Sequence, residues 1–299
     1  MFDLPSKRDI ENISLELLKE SGALDVFPTP IDTIVNCASL SMDEDIDLSS
    51  IDPRFIEKIN EALREEYTNS IKSVRGFIDR VDKKIYLDRK QQKTRQNFVK
   101  LHEVGHSVLP WQKAILDHLD DDNSLGFNTE QEFEAEANYF ASTTLFQHDR
   151  FLSEMDKHGL GIKASMNLAK KFGASNHATL RRYVELSLNR CALLVLEKIA
   201  PKGSQPECFK RDFFASENFK KTFGSLELPE RFGYKWEFVK DYYFGKKYHE
   251  RGEINLTTAN GSADFCYHFF NNRYNAFVFL FPIGEFKSPV INVYLNGDI

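Results

Sequence analysis

The chain has 299 residues, 41% of them apolar and 28% charged, and a formal net charge of −6. That length and apolar content suit about two folded domains with a sizeable core, and the negative balance excludes a general nucleic-acid coat, which needs a basic excess. The longest apolar run, "YNAFVFLFPI", is far too short for a membrane-spanning helix, so no membrane partner is expected.

The charged N-terminal stretch lacks the apolar segment of a secretory signal. "IENISLELLKESG" has helical spacing and should end at Gly22. "TPIDTIVNCAS" predicts a second helix opened by Pro30, and "DPRFIEKINEALREEYTN" a third, with Asp52 as N-cap and Pro53 in its first turn. The period then changes: Val74, Phe77 and Ile78 before a polar turn, and Ile85, Tyr86 and Leu87 after it, read as a β-hairpin. A helix from about Thr94 to Leu109 should be stopped by Pro110. After the polar stretch "DHLDDDNSLGFNTE" comes another helix, "EQEFEAEANYFASTTLF", and then two short helices around "FGAS" that resemble a helix-turn-helix. From Cys191 the pattern is that of strands: "CALLVLEKI", "GEINLTTA", "ADFCYHFF", "YNAFVFLFPI" and "PVINVYL", with "NNR" as a hairpin turn and "KWEFVKDYYFGKKYHERG" as a helix on the sheet. Cys37, Cys191, Cys208 and Cys266 lie far apart, with no C-x-x-C spacing, and read as reduced thiols of a cytoplasmic protein.

The chemistry is concentrated in "LHEVGH". Residues four apart share a helix face, so His102 and His106 can offer two imidazole nitrogens to one ion. Glu103, one position around the helix, can reach a water on that ion as general base; this is the logic of H-E-x-x-H in metallopeptidases. Gly105 costs ~1 kcal/mol inside a helix relative to Ala, which argues that something approaches closely there. The next helix offers Glu130, Glu132, Glu134 and Glu136 as third ligand. Glu134 shares its stripe with the small residues Ala137, Asn138 and Ala141 and is preferred; Glu136, on the bulkier face of Tyr139, Phe140 and Thr143, is the runner-up, and Glu130 and Glu132 read as a solvated face. Imidazole and carboxylate ligands accept Zn2+ or Mn2+.

"TRQNFVKLHEVGH" followed by "EAEANYFASTTLF" resembles the ImmA/IrrE family of metallopeptidases, with Arg95, Phe98, His102, Glu103, Gly105, His106, Glu134, Ala137, Asn138, Phe140 and Ala141 matching. The family's apolar Leu-Leu-Met-Pro is replaced here by Leu145, Phe146 and Gln147. The resemblance implies a zincin-like α+β peptidase domain (1–150), a helix-turn-helix-like helical linker (151–190) and a GAF/PAS-like C-terminal sensor domain (191–299). It implies metal ligation by His102, His106 and Glu134 and catalysis by Glu103 in a gluzincin-like metallo-endopeptidase. The implied substrate is a helix-turn-helix repressor, cleaved in response to DNA damage, phage infection or mobile-element induction. Tyr139, His148 and His177 are candidates for binding the oxyanion or substrate. Single-stranded DNA or a small molecule is the candidate signal at the C-terminal domain, whose aromatics Phe265, Tyr267, Phe269, Phe270, Phe277, Phe279 and Phe281 read first as core and second as a stacking platform. Two other readings stand beside the regulatory peptidase: a non-catalytic signal receptor with a structural metal site, and a broad-specificity peptidase.

Overall fold

A computed structural model describes residues 4–48, 76–79, 82–116, 127–199 and 206–285. The helix expected over 52–69 and the strand expected over 289–295 lie outside the described residues. The architecture is mixed α+β, in two compact units: Met1–Phe151 with Ala169–Ser175, and Leu152–Leu168 with Asn176–Ile299.

The first unit opens with helix α1 (Leu4–Glu20). Gly22 ends it at φ 65°, with Ala23 N–H bonded back to Leu18 O at 2.9 Å, a left-handed cap suited to glycine. Helix α2 (Ile31–Cys37) follows Pro30. The expected hairpin is present as β2 (Gly76–Asp79) and β3 (Lys84–Leu87), in register Phe77↔Tyr86 and Ile78↔Ile85. A strand absent from the sequence reading, β1 (Ser41–Asp47), pairs parallel to β3, so the order among the described residues is β1-β3-β2, with β2 at an edge. Its acidic sequence, "SMDEDID", carries no strand period. Asp43 is held instead by Lys84 of β3 at 3.2 Å.

Helix α3 (Lys93–Val108) carries the histidines. Leu109 leaves the helical region and Pro110 opens α4 (Pro110–Leu116), the first-turn position where a missing N–H costs nothing. The long α5 (Phe127–Leu145) lies directly on α3. Gly105 is why it can: a Cβ there would sit 3.3 Å from Ala137 Cα and 3.1 Å from Phe140 Cδ1. Since Ala137 Cα is backbone, α5 cannot yield without moving as a whole. Gly105→Ala gains helix propensity of up to ~1 kcal/mol but adds crowding of about 1–3 kcal/mol. The expected net result is a stability loss of about 1 kcal/mol, read from the urea midpoint; a stabilised variant would contradict this packing.

Gln147, the departure from the family motif, turns out to be structural. It is fully buried, accepts the Asp25 N–H at 2.8 Å, and donates to Val26 O at 2.8 Å and Thr29 Oγ1 at 3.1 Å. It pins the 25–29 loop beside an edge-packed cluster of Phe146, Phe151 and Phe172. Helices α6 (Asp149–Met155) and α7 (Ile162–Phe172) cross the division between units, and α8 (Asn176–Leu186) belongs to the second.

The second unit is built on an antiparallel sheet of β4 (Ala192–Leu196), β5 (Cys208–Ala215), β6 (Arg231–Phe232), β7 (Tyr248–Thr258), β8 (Gly261–Asn271) and β9 (Ala276–Pro282), in the order β6-β5-β4-β9-β8-β7. The central strands β4 and β9 are buried along their whole length, so both sheet faces are covered. Alternation divides the side chains. Leu194, Phe265, Tyr267, Phe269 and Val278 pack with residues of α9 (Glu217–Phe223) and α10 (Glu237–Tyr243). On the other face Phe279 meets Tyr183 of α8, with ring centroids 5.9 Å apart. Strand β5 was not expected, because "CFKRDFFA" places charges inside it; α10 stops at Tyr243, and residues 248–252 of its expected helix open β7 instead.

Candidate metal centre

One turn of α3 separates His102 from His106, and their Nε2 atoms converge to 3.1 Å. From α5, Glu134 places Oε2 at 3.3 Å from His102 Nε2 and Oε1 at 3.2 Å from His106 Nε2. Among the described residues these three form one group, with all ligating atoms within 4.8 Å of one another. Ligand atoms around a tetrahedral zinc with bonds of about 2.0–2.1 Å stand about 3.3–3.4 Å apart. The observed spacing therefore fits one small cation, and the nitrogen and carboxylate donor set suits zinc or manganese. Glu134 is exposed while His106 is buried, so solvent can approach the cluster from the carboxylate side.

The electrostatics of the metal-free cluster agree with this. Burial pulls His102 down, but the hydrogen bond it donates to Glu134, the charges of Glu103 and Glu134 and a hydrogen bond with Asn138 together outweigh it and raise its pKa above the usual imidazole value. Hydrogen bonds to His102 and His106 hold the Glu134 carboxyl well below the usual carboxylate range. A metal must displace the His102 proton, which the protein retains to higher pH than free imidazole does. Zinc affinity should therefore weaken as pH falls, beginning above about pH 6.5 and approaching tenfold per pH unit below the raised value. Competition titrations between about pH 5.5 and 8 read this directly; an affinity independent of pH there would exclude a protonated His102 in the metal-free state.

Glu103 is buried beside the cluster, on α3. Its Oε1 lies 3.4 Å from where a Gly76 Cβ would stand, and Val99 Cγ1 only 2.1 Å from that point. Only glycine lets the edge strand β2 run this close to the glutamate. Glu136, the runner-up ligand, has its Oε2 taken by Trp111 Nε1 and Gln112 Nε2, each at 2.7 Å. Glu132 is exposed. Of the oxyanion candidates, Tyr139 donates to Glu11 Oε1 at 2.5 Å, and His148 Nε2 lies 3.2 Å from Ser14 Oγ. His177 is in the second unit, with its ring 5.4 Å from that of Phe277 and its Nε2 4.0 Å from Asp212. None of the three belongs to the metal cluster. Trp111 and Gln112 went unremarked in the sequence; a polar side chain just after a proline that breaks the metal helix was the available signal.

All seven C-terminal aromatics are buried and pack the sheet, so they offer no open stacking surface. Arg181 is paired with Glu185 at 2.7 Å and covers the Phe214 ring at 4.8 Å. The four cysteines are free thiols. Burial pushes both Cys191 and Cys208 up to about 12, which leaves them inert.

Residues 57–183 match the family described as the IrrE N-terminal-like domain, Peptidase_M78. No curated protein sequence matches the chain. Among solved structures, a Mycobacterium tuberculosis transcriptional regulator has a similar fold: the TM-score is 0.50 at 9% identity, covering 93% of this chain and 77% of that one. No described helix is long and apolar enough to cross a membrane.

Proposed function

From the premise that residues 57–183 belong to the ImmA/IrrE peptidase family, we propose that the chain is a metal-dependent, site-specific endopeptidase acting on a helix-turn-helix transcriptional repressor in the cytoplasm. The observation that carries the reading is the convergence of His102, His106 and Glu134 with a buried carboxylate, Glu103, next to them. Those three residues would hold the ion, zinc or manganese. A bound zinc supplies Lewis acidity and lowers the pKa of a water to roughly 7.

The chain's own residues do the rest. Glu103 takes the proton from the attacking water and delivers it to the leaving amide nitrogen as the C–N bond breaks. The position of β2 at the end of the described sheet, pressed against Glu103 at Gly76, supports a substrate segment lying extended along that strand. The exposed Glu134 favours an open catalytic site over a closed structural one.

We assign 1–150 to the peptidase, 151–190 to the helix-turn-helix-like linker and 191–299 to a GAF/PAS-like sensor. An antiparallel sheet with helices laid on its faces supports the sensor reading. A cavity of about 670 Å³ lined by His158, Asn189, Arg190, Asn218, Lys221 and Glu285 favours a small polar signal molecule over a stacked nucleic acid. The full chain should cut the repressor encoded beside it into two fragments, lose that activity to a chelator, and leave a panel of unrelated peptides intact. Indiscriminate cleavage would make it a broad-specificity peptidase, and zinc binding without cleavage under any inducing signal would make it a receptor.

A further inference from the structure

Behind His106 lies a buried polar chain that the reaction above does not use. His106 Nδ1 is 2.8 Å from Gln112 Oε1. Gln112 Nε2 donates to the carbonyl of Phe133 at 3.1 Å and to Glu136 Oε2 at 2.7 Å. Trp111 Nε1 donates to the same carboxylate oxygen at 2.7 Å. Gln112 is completely buried and Glu136 nearly so.

The donor and acceptor roles along this chain are forced. A backbone carbonyl and a carboxylate are acceptors only, so the Gln112 amide must turn its NH2 toward them. Its oxygen is then left facing the imidazole. An acceptor at Nδ1 requires a proton on Nδ1. Nε2 is then the nitrogen left to exchange its proton for a metal: it faces His102 Nε2 at 3.1 Å and Glu134 Oε1 at 3.2 Å, the carboxylate that it hydrogen-bonds in the metal-free cluster. The deduction runs from the fixed acceptors outward and does not depend on which end of the amide is drawn as oxygen.

We propose that Gln112, held in one orientation by Glu136 and Phe133 O, is a positioning residue that sets the tautomer and ring orientation of His106 and so presents Nε2 to the metal. The inference rests on reading the His102, His106 and Glu134 group as a metal centre. It makes Glu136, which also accepts from Trp111 Nε1 and lies on the same helix as Glu134, an outer support for the ligand set. Metal-ligating histidines generally give their second N–H to a carboxylate or carbonyl. Here an amide is interposed, so the carboxylate orients the ring without standing directly on it.

The break at Pro110 makes this arrangement reachable. In a continuous helix a residue six positions on points to a different face from its starting residue. Ending α3 at Val108 and restarting at Pro110 turns Gln112 back under His106.

The test uses zinc-loaded and zinc-free full chain. In the wild type, long-range 1H–15N spectra should show His106 protonated at Nδ1, with zinc on Nε2 and an Nδ1 proton protected from exchange. Zinc on Nδ1, or a zinc-free ring that carries no proton on Nδ1, overturns the proposal without any variant. Gln112→Leu keeps the volume and removes the acceptor, and should weaken zinc binding roughly 10–100-fold with loss of the protected proton. Gln112→Glu, which can share one proton with Glu136 and still accept from Nδ1, should recover most of that loss. A merely packing role predicts the opposite order, so wild-type zinc affinity in Gln112→Leu overturns the inference. Absence of stoichiometric zinc binding to the wild type overturns the metal reading and this inference together, a result distinct from either of the others.

Discussion

Glu103→Gln should lose repressor cleavage by about 10²–10⁴-fold, the usual weight of a general acid–base group, while zinc still binds with little change. The amide has the shape of the carboxylate, so the burial of this position and its packing beneath β2 are kept. What it lacks is a basic oxygen that can take a proton from water and return it to the leaving nitrogen. His102, His106 and Glu134 are untouched, so the metal should remain. Full cleavage by Glu103→Gln would remove it as the base; loss of cleavage together with loss of metal would show that it acts through the ligands instead.

Phe140→Ala should destabilise the metal-free protein by about 3–5 kcal/mol, the usual cost of deleting a buried phenyl ring. Phe140 is fully buried and its ring lies over Gly105, between the two helices that carry His102, His106 and Glu134. A cavity there removes the contact that sets the spacing between α3 and α5. Zinc affinity should fall with stability, because folding and ligand convergence are one process at this interface. Phe140→Leu, which fills most of the space, should recover most of both. Urea unfolding with and without zinc measures the pair; a cost under about 1 kcal/mol for the alanine variant would mean that the helices are held from elsewhere.

Helical phase separates Glu134 from Glu136 in the sequence, and Glu134 is the one that stands with His102 and His106. Ala137, Asn138 and Ala141 mark the stripe that can lie close to another helix, and Gly105 marks its counterpart. The contact of Gly105 with Ala137 Cα is where those two local signals meet. The hairpin was legible for a similar reason, since its apolar pairs Phe77↔Tyr86 and Ile78↔Ile85 stand on either side of one polar turn. Strands β1 and β5 were not. Each carries charges in its interior that find partners only after folding, as Asp43 does with Lys84 and Arg211 with Asn275 at 3.0 Å.

By itself, the sequence determined the kinds of donor atom available and the spacing that lets two imidazoles share a helix face, because both depend on bonds and turns within a few residues. It also determined that the metal helix must accept a close neighbour. Only the tertiary structure decided that Gln112 and Glu136 stand behind His106, that Gln147 anchors the 25–29 loop, and that the C-terminal aromatics are core. Those outcomes depend on which distant acceptors and faces a chain brings together when it collapses, and the period of a short stretch does not record that choice.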